Sequence, residues 1–189
     1  FRYDTDEQRN DKTFKTILRY VKKINKAKKY IDNVTNCHDL IAYLMILMNY
    51  VSATYLKENK IGIFRSAKFN GNFTAPTHMP EDVQKFLKMW NSFGGQYVKF
   101  EQVESHDMLR LDAYVHITSP IRRLVDLLNS IIIQDSLGFM KLTGERLAFY
   151  TRWTNPEAFD YINQTMRSIR KVQNDCSLLN ICASDEALL

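Results

Sequence analysis

Tyr114-Val-His116-Ile-Thr118-Ser119-Pro120-Ile-Arg122-Arg123, with Asp126-Leu-Leu close behind, is the stretch on which the reading of this chain turns. Ser119 is a strong helix N-cap and Pro120 suits a first helical position, so the pattern predicts a helix that starts here and runs to about residue 133. Arg122 and Arg123 then sit in its first turn, where the helix dipole and unpaired N–H groups already carry partial positive charge. Two cations at that end call for an anion. A phosphate satisfies the N–H groups, the dipole and a planar guanidinium together. The alternative is a surface ion pair from Arg122 or Arg123 to Asp126. Upstream, residues 110–118 are rich in aromatic and β-branched types and read as a strand, which would hold the arginines rigidly.

Working outward, Phe14, Ile17, Leu18, Val21 and Ile24 recur at helical spacing and predict one amphipathic helix over residues 6–29. Residues 38–57 read as a second helix, apolar nearly all round and placed in the core. No charge occurs between Leu40 and Leu56, but Asn49, Ser52 and Thr54 interrupt the run, and a buried core helix explains it better than a membrane span. Residues 66–80 read as a loop, 81–93 as a helix stopping at Gly94-Gly95, and 97–103 as a strand. A last helix is predicted from Asn155-Pro156-Glu157 towards Leu179, with Phe159, Ile162, Met166, Ile169 and Val172 as its apolar stripe. The fold class is therefore α+β and helix-rich, with a few strands packed on long helices. No repeat or linker divides residues 1–189, so the chain reads as a single domain or part of one.

The 189 residues suffice for one sizeable core, and a formal charge of +5 favours polyanionic partners. Three cysteines, none in a Cys-x-x-Cys pair, argue against a disulfide framework or structural zinc and for a reducing compartment. Cys37-His38 lacks the base and orienting group that a nucleophile needs. His78, His106 and His116 have no metal-binding spacing. No signal-peptide pattern is seen, and an intracellular, cytoplasmic location without membrane attachment is expected.

The motif His106-x-x-Leu109-x-Leu111-Asp-x-Tyr114-x-His116-Ile-Thr-Ser-Pro-Ile-Arg-Arg-x-x-Asp126-Leu127 resembles the signature of the RNB-domain exoribonucleases, which include RNase II, RNase R and the exosome's processive catalytic subunit. Two further segments follow in the family's order. His38-Asp-Leu-Ile-Ala-Tyr-Leu-Met-Ile-Leu-Met-Asn49 with Ile63-Phe-Arg65 is similar to the family's buried helix and its aromatic-Arg, and Ile162-Asn-x-x-x-Arg167-x-x-Arg170-Lys171 to its closing helix. The resemblance spans about residues 38–180 and corresponds to the C-terminal half of an RNB domain. Residues 1–37 are then a basic amphipathic helix and linker.

The resemblance implies 3′→5′ hydrolysis of single-stranded RNA to nucleoside 5′-monophosphates. It assigns Arg122 to the scissile phosphate, with Arg123 and Asp126 orienting it or clamping the next phosphate. Thr118, Ser119 and Arg65 would contact RNA, His116 and Tyr114 would contact a base or pack the core, and Arg167, Arg170 and Lys171 would flank the RNA path or form a solvated face. Lys15, Arg19, Lys22, Lys26 and Lys29 form either a solvated face or an RNA track. Magnesium is implied too, but the family holds it with an upstream cluster spaced Asp-x5-Asp-x-Asp-Asp, which this sequence lacks. Asp4, Asp6, Glu7 and Asp11 read instead as solvated residues at a helix start. The ligands would come from a missing N-terminal half or another chain, leaving this chain inactive alone. Ala42 and Tyr43 stand where the family has paired glutamates, Leu124 for its Tyr, Ser130-Ile131 for its His-Arg, and Ala67 for a His. These departures raise the alternative of an RNA-binding or structural module without a metal site.

Overall fold

A computed structural model describes residues 5–67, 95–103, 106 and 109–184. The helix expected at 81–93 and nearly all of the loop expected at 66–80 lie outside the described residues.

The first expected helix is two. Helix α1 spans Asp6–Asn10 and α2 spans Lys12–Ala27, separated at Asp11, whose extended backbone lets its carboxylate accept the Phe14 N–H at 2.7 Å. An aspartate that caps a new helix stabilises it by about 1 kcal/mol, more than it contributes as an interior residue. Helix α3, Cys37–Glu58, opens on a capping box in which Asn36 accepts the Asp39 N–H at 2.9 Å. Its Tyr43 and Leu40 pack with Val21 of α2 and Val34. Tyr43, Ala53 and Leu56 are fully buried, but Leu44, Met48 and Val51 are exposed, so α3 is not covered all round as its composition predicts. By length and composition alone this helix could cross a membrane. Its buried Asn49 and Ser52, however, belong to the fold's interior.

Strands β1, Ile63–Ser66, and β2, Gln96–Lys99, pair antiparallel with Ile63 opposite Lys99 and Ser66 opposite Gln96. Successive side chains point to opposite faces. Phe64 and Val98 join Ala53 and Leu56 of α3 on one side, while Ile63 and Tyr97 join Val125, Leu128 and Phe159 on the other. The small sheet is thus a layer between α3 and the later helices, in a helix-rich α+β fold. The strand expected at 97–103 stops at Lys99 and tightens into a 3-10 turn, Phe100–Gln102.

The strand expected at 110–118 does not form. This segment touches β1 through one bridge, Phe64 with Val115, and through the Arg65 N–H, which donates to the Tyr114 carbonyl at 2.7 Å. Side chains claim the groups that a ladder would use next. The Ile117 N–H donates to Asn49 at 3.1 Å, and Asn129 donates to the His116 carbonyl at 3.1 Å. Three helices follow among the described residues: α4, Leu124–Ser136; α5, Gly144–Thr154, which the sequence reading did not foresee; and α6, Pro156–Ser184, capped by Asn155 through the Ala158 N–H as expected.

Candidate functional site

The helix bearing the arginine pair starts later than its capping residues predict. Ser119 is not its N-cap: the Arg122 N–H returns to the Ser119 carbonyl at 3.2 Å, closing a turn in which Pro120 takes the second position. Helix α4 begins only at Leu124, with Arg123 in extended conformation at its N-cap. Asp126 decides this. Its carboxylate is fully buried and accepts the Ser119 N–H at 2.8 Å and Arg123 Nη2 at 2.9 Å. Arg123 Nε also lies 2.8 Å from the other oxygen, a charge contact without hydrogen-bond alignment. A buried carboxylate needs that pairing, and the chain meets it by turning before the helix. Neither arginine is therefore in the first helical turn. Arg123 is committed to Asp126, and Arg122 projects into solvent.

Beside this turn lies a cleft of about 530 Å³. It is lined by Tyr97, His116, Arg122 and Arg123, and by Trp153, Tyr161, Met166 and Arg170 of the last two helices. Helix α6 presents Ile162, Met166, Ile169, Arg170 and Gln173 because they repeat at the spacing of one helical face. Arg167 and Lys171 are exposed elsewhere on that helix and do not line the cleft.

The remaining expected residues stand behind this surface. Arg65 is buried, stacks over the Tyr97 ring at 5.3 Å, and donates to the Gly95 carbonyl, with Met166 Sδ at 3.4 Å. A Cβ on Gly95 would stand 2.6 Å from Arg65 Nη2, so only glycine admits this approach. Tyr114 is buried too. Its hydroxyl accepts from Asn49 at 2.9 Å and its ring meets His106 and His116 edgewise, so the ring is a core support rather than an open stacking surface. Thr118 and Ser119 belong to the turn and do not line the cleft, and the buried Thr118 hydroxyl has no hydrogen-bond partner among the described residues.

Burial and cations set the protonation of these residues. Desolvation, then Arg123, Arg65, His106 and Arg170, push the His116 pKa down to about 2, so its ring is neutral. Its Nδ1 lies 2.7 Å from the Tyr97 hydroxyl, whose own pKa burial raises. Arg65 is lowered to about 10, first by desolvation and then by Arg170 and Arg123, and so stays charged at neutral pH. The positive charges that lower Arg65 and His116, with the Asp126 carboxylate turned into its own bonds, make a field suited to an anion.

Carboxylates for a metal are another matter. Among the described residues no group of three or more His, Cys, Asp or Glu converges. Asp11 caps α2, and Asp6 and Glu7 lie in the first turn of α1. The described residues do not fit a magnesium site.

Sequence reasoning missed Tyr97, Trp153 and Tyr161 as cleft residues and Asn129 as a positioning residue. Asn129 had a signal: an amide inside the aliphatic run Leu127-Leu128-Asn129-Ser130-Ile131 sits on a buried face and must find backbone partners. It bonds both the N–H and the carbonyl of Ile63, each at 2.8 Å, and so docks α4 on β1. Asn163 does the same from α6, holding the N–H and carbonyl of Tyr97 at 2.7 and 3.0 Å.

Residues 89–138 match the RNB domain, a span that includes the turn, both arginines and Asp126. Among solved structures, the chain is similar to the apo form of Mycoplasma genitalium RNase R with a TM-score of 0.61 and 16% identity over 88% of this chain and 36% of that one. The same enzyme in complex with ribose-methylated single-stranded RNA matches at a TM-score of 0.58 and 15% identity, again over 88% and 36%. Its complex with double-stranded RNA matches at 0.50 and 19%, over 74% and 31%. The chain thus spans about a third of the length of these RNase R structures. No curated protein matches by sequence.

Proposed function

We propose that this chain, which matches the RNB domain over residues 89–138 and is similar in fold to RNase R, forms the phosphate-holding part of an RNB-family exoribonuclease that degrades single-stranded RNA from its 3′ end to nucleoside 5′-monophosphates. The observation that carries the reading is the convergence of Arg122, Arg123 and Arg170 on one cleft lined by neutral His116, with Arg65 buried behind it. Arg122 is free to fork onto a phosphate and to stabilise charge that develops on its oxygens. Arg123, fixed by Asp126, presents a second positive group in a preorganised position. Arg170 joins the site from α6. His116 offers a neutral ring for hydrogen bonding to sugar or base. The likeness to an RNase R captured with single-stranded RNA supports that substrate.

The magnesium implied by the family finds no ligand set among the described residues. The part assigned to this chain is therefore confined to its own side chains, with the rest of an RNB domain, or another chain, as the partner that supplies the carboxylates. An intracellular location agrees with Cys37 and Cys176 being free thiols. Digestion of end-labelled, 3′-tailed RNA by the full-length protein tests the reading. Stepwise release of mononucleotides, lost on Arg122→Ala, is expected; internal cleavage, or unaltered digestion by the variant, would refute it.

A second reading has its own support. Tyr43, standing where the family has a glutamate, is wholly buried and donates to the Lys28 carbonyl at 3.2 Å, so that position serves packing. RNA binding without any digestion by the full-length protein would favour a module that retains the phosphate cleft alone.

A further inference from the structure

Helix α2 lies outside the segment that matches the RNB domain, and the cleft makes no use of it. Its 16 residues include Lys12, Lys15, Arg19, Lys22, Lys23 and Lys26 and no Asp or Glu. All six cations are exposed, and at 100° per residue they fall within an arc of about 100°. Among the described residues none of the six is held in an ion pair. Like charges three and four residues apart destabilise a helix, so a one-sided array without carboxylates works against the fold and is explained by an external anion.

Two observations decide which anion. Phe14, Leu18 and Val21 of α2 pack on Val34, Leu40 and Tyr43, while Ile17 and Ile24 of the expected apolar stripe stay about two-fifths exposed. A charged bilayer takes up a continuous apolar helix face, and most of that face is already committed to the fold. Beside the basic arc, Tyr20 is 57% exposed and Arg19 stacks over its ring at 5.4 Å. Cations in a row next to an open aromatic ring suit a flexible strand with phosphates and unstacked bases. Lys15, Arg19, Lys22 and Lys26 run about 17 Å along the helix, long enough to meet several successive phosphates.

We propose that this face of α2 is a second single-stranded RNA contact, separate from the cleft. It rests on the ribonuclease reading for its biological sense, but its chemistry is independent of the cleft. The test is fluorescence titration of the 189-residue chain with end-labelled oligouridylate across a salt series. Combining Lys15→Gln, Arg19→Gln, Lys22→Gln and Lys26→Gln should make the slope of log affinity against log salt shallower by roughly 2–3, since each lost single-strand phosphate contact removes about 0.7. Glutamine keeps helix propensity, and circular dichroism checks the fold. If the fourfold variant unfolds, Lys15→Gln with Lys22→Gln should give about half the change. Tyr20→Ala should weaken binding about tenfold with little change of slope.

An unchanged slope in a variant that still binds RNA overturns the proposal and leaves the ribonuclease reading intact. An unaffected Tyr20→Ala overturns the single-strand assignment. A wild-type chain that ignores RNA overturns the proposal and the functional reading together, whether or not it adsorbs to phosphatidylserine vesicles.

Discussion

Arg122 and Arg123 are adjacent in sequence yet differ in what they are free to do. Arg123 spends Nε and Nη2 on Asp126, whereas Arg122 has no ion-pair partner among the described residues. A lysine at position 122 would retain the charge and lose the planar fork. In the ribonuclease proposed above, Arg122→Lys is expected to cut turnover about a hundredfold while RNA affinity falls only a few-fold, because a preorganised contact to developing charge is worth far more than one phosphate among many. Single-turnover kinetics beside equilibrium binding reads both, and unchanged turnover would remove Arg122 from the reaction. His116 supports a prediction about acid. Its folded pKa, about 2, lies below the unfolded value near 6.5, so the unfolded chain binds the extra proton between them. The stability from its neutral burial is complete above about pH 6.5 and is lost as pH falls below it. His116→Gln should therefore flatten the decline in unfolding free energy between pH 6.5 and the carboxylate range near 4. Parallel curves for variant and wild type would show that His116 is not the group responsible.

Elements here are joined by amides more than by ladders. Asn129 bonds both backbone groups of Ile63, Asn163 does likewise with Tyr97, and Asn49 bridges Tyr114 and Ile117 from α3. Asn129 and Asn163 each take the place of a neighbouring strand and fasten a helix to a two-stranded sheet that would be marginal alone, while Asn49 ties α3 to the 110–118 segment. Asn129→Ala would leave the Ile63 N–H and carbonyl and the His116 carbonyl without these bonds. At about 1–3 kcal/mol per buried unsatisfied group, partly relieved by relaxation, the loss should come to about 3–5 kcal/mol. Urea unfolding with an unchanged m-value measures it. A loss under about 1 kcal/mol would mean that water replaces the amide at no cost and that α4 docks by its apolar side chains alone.

For the molecule as a whole, the chemistry is one-sided: a cationic cleft and a cationic helix, with no converging carboxylates among the described residues. Two metal ions poised for in-line attack require several such carboxylates. The isolated 189-residue chain, supplied with magnesium or manganese, is therefore expected to bind single-stranded RNA and release no mononucleotide from it. Denaturing gels of end-labelled RNA over a long incubation decide this. Progressive shortening that persists through repurification, and disappears in Arg122→Ala, would place a complete active centre within this chain.

The sequence by itself determined the local signals: the Asn155 cap of α6 and its stripe as far as Met166, the RNB-like motif at 106–127 and the positive charge. These depend on periodicity, capping chemistry and residue order, which are properties of short segments. Ile169 and Val172, read as the rest of the α6 stripe, stay exposed. Tertiary structure alone decided where α4 begins, which arginine pairs with Asp126, and that residues 110–118 form no strand. In each case a buried polar side chain needed a partner from another element. Asp126 drew in the Ser119 N–H and Arg123 and displaced a Ser119 cap, and Asn49 and Asn129 took backbone groups that a third strand would have used. A cap or a strand propensity is worth about 1 kcal/mol, while an unpaired buried charge or amide costs several. The burial penalty therefore outweighs the local preference, and it arises only once the chain has folded around the polar group.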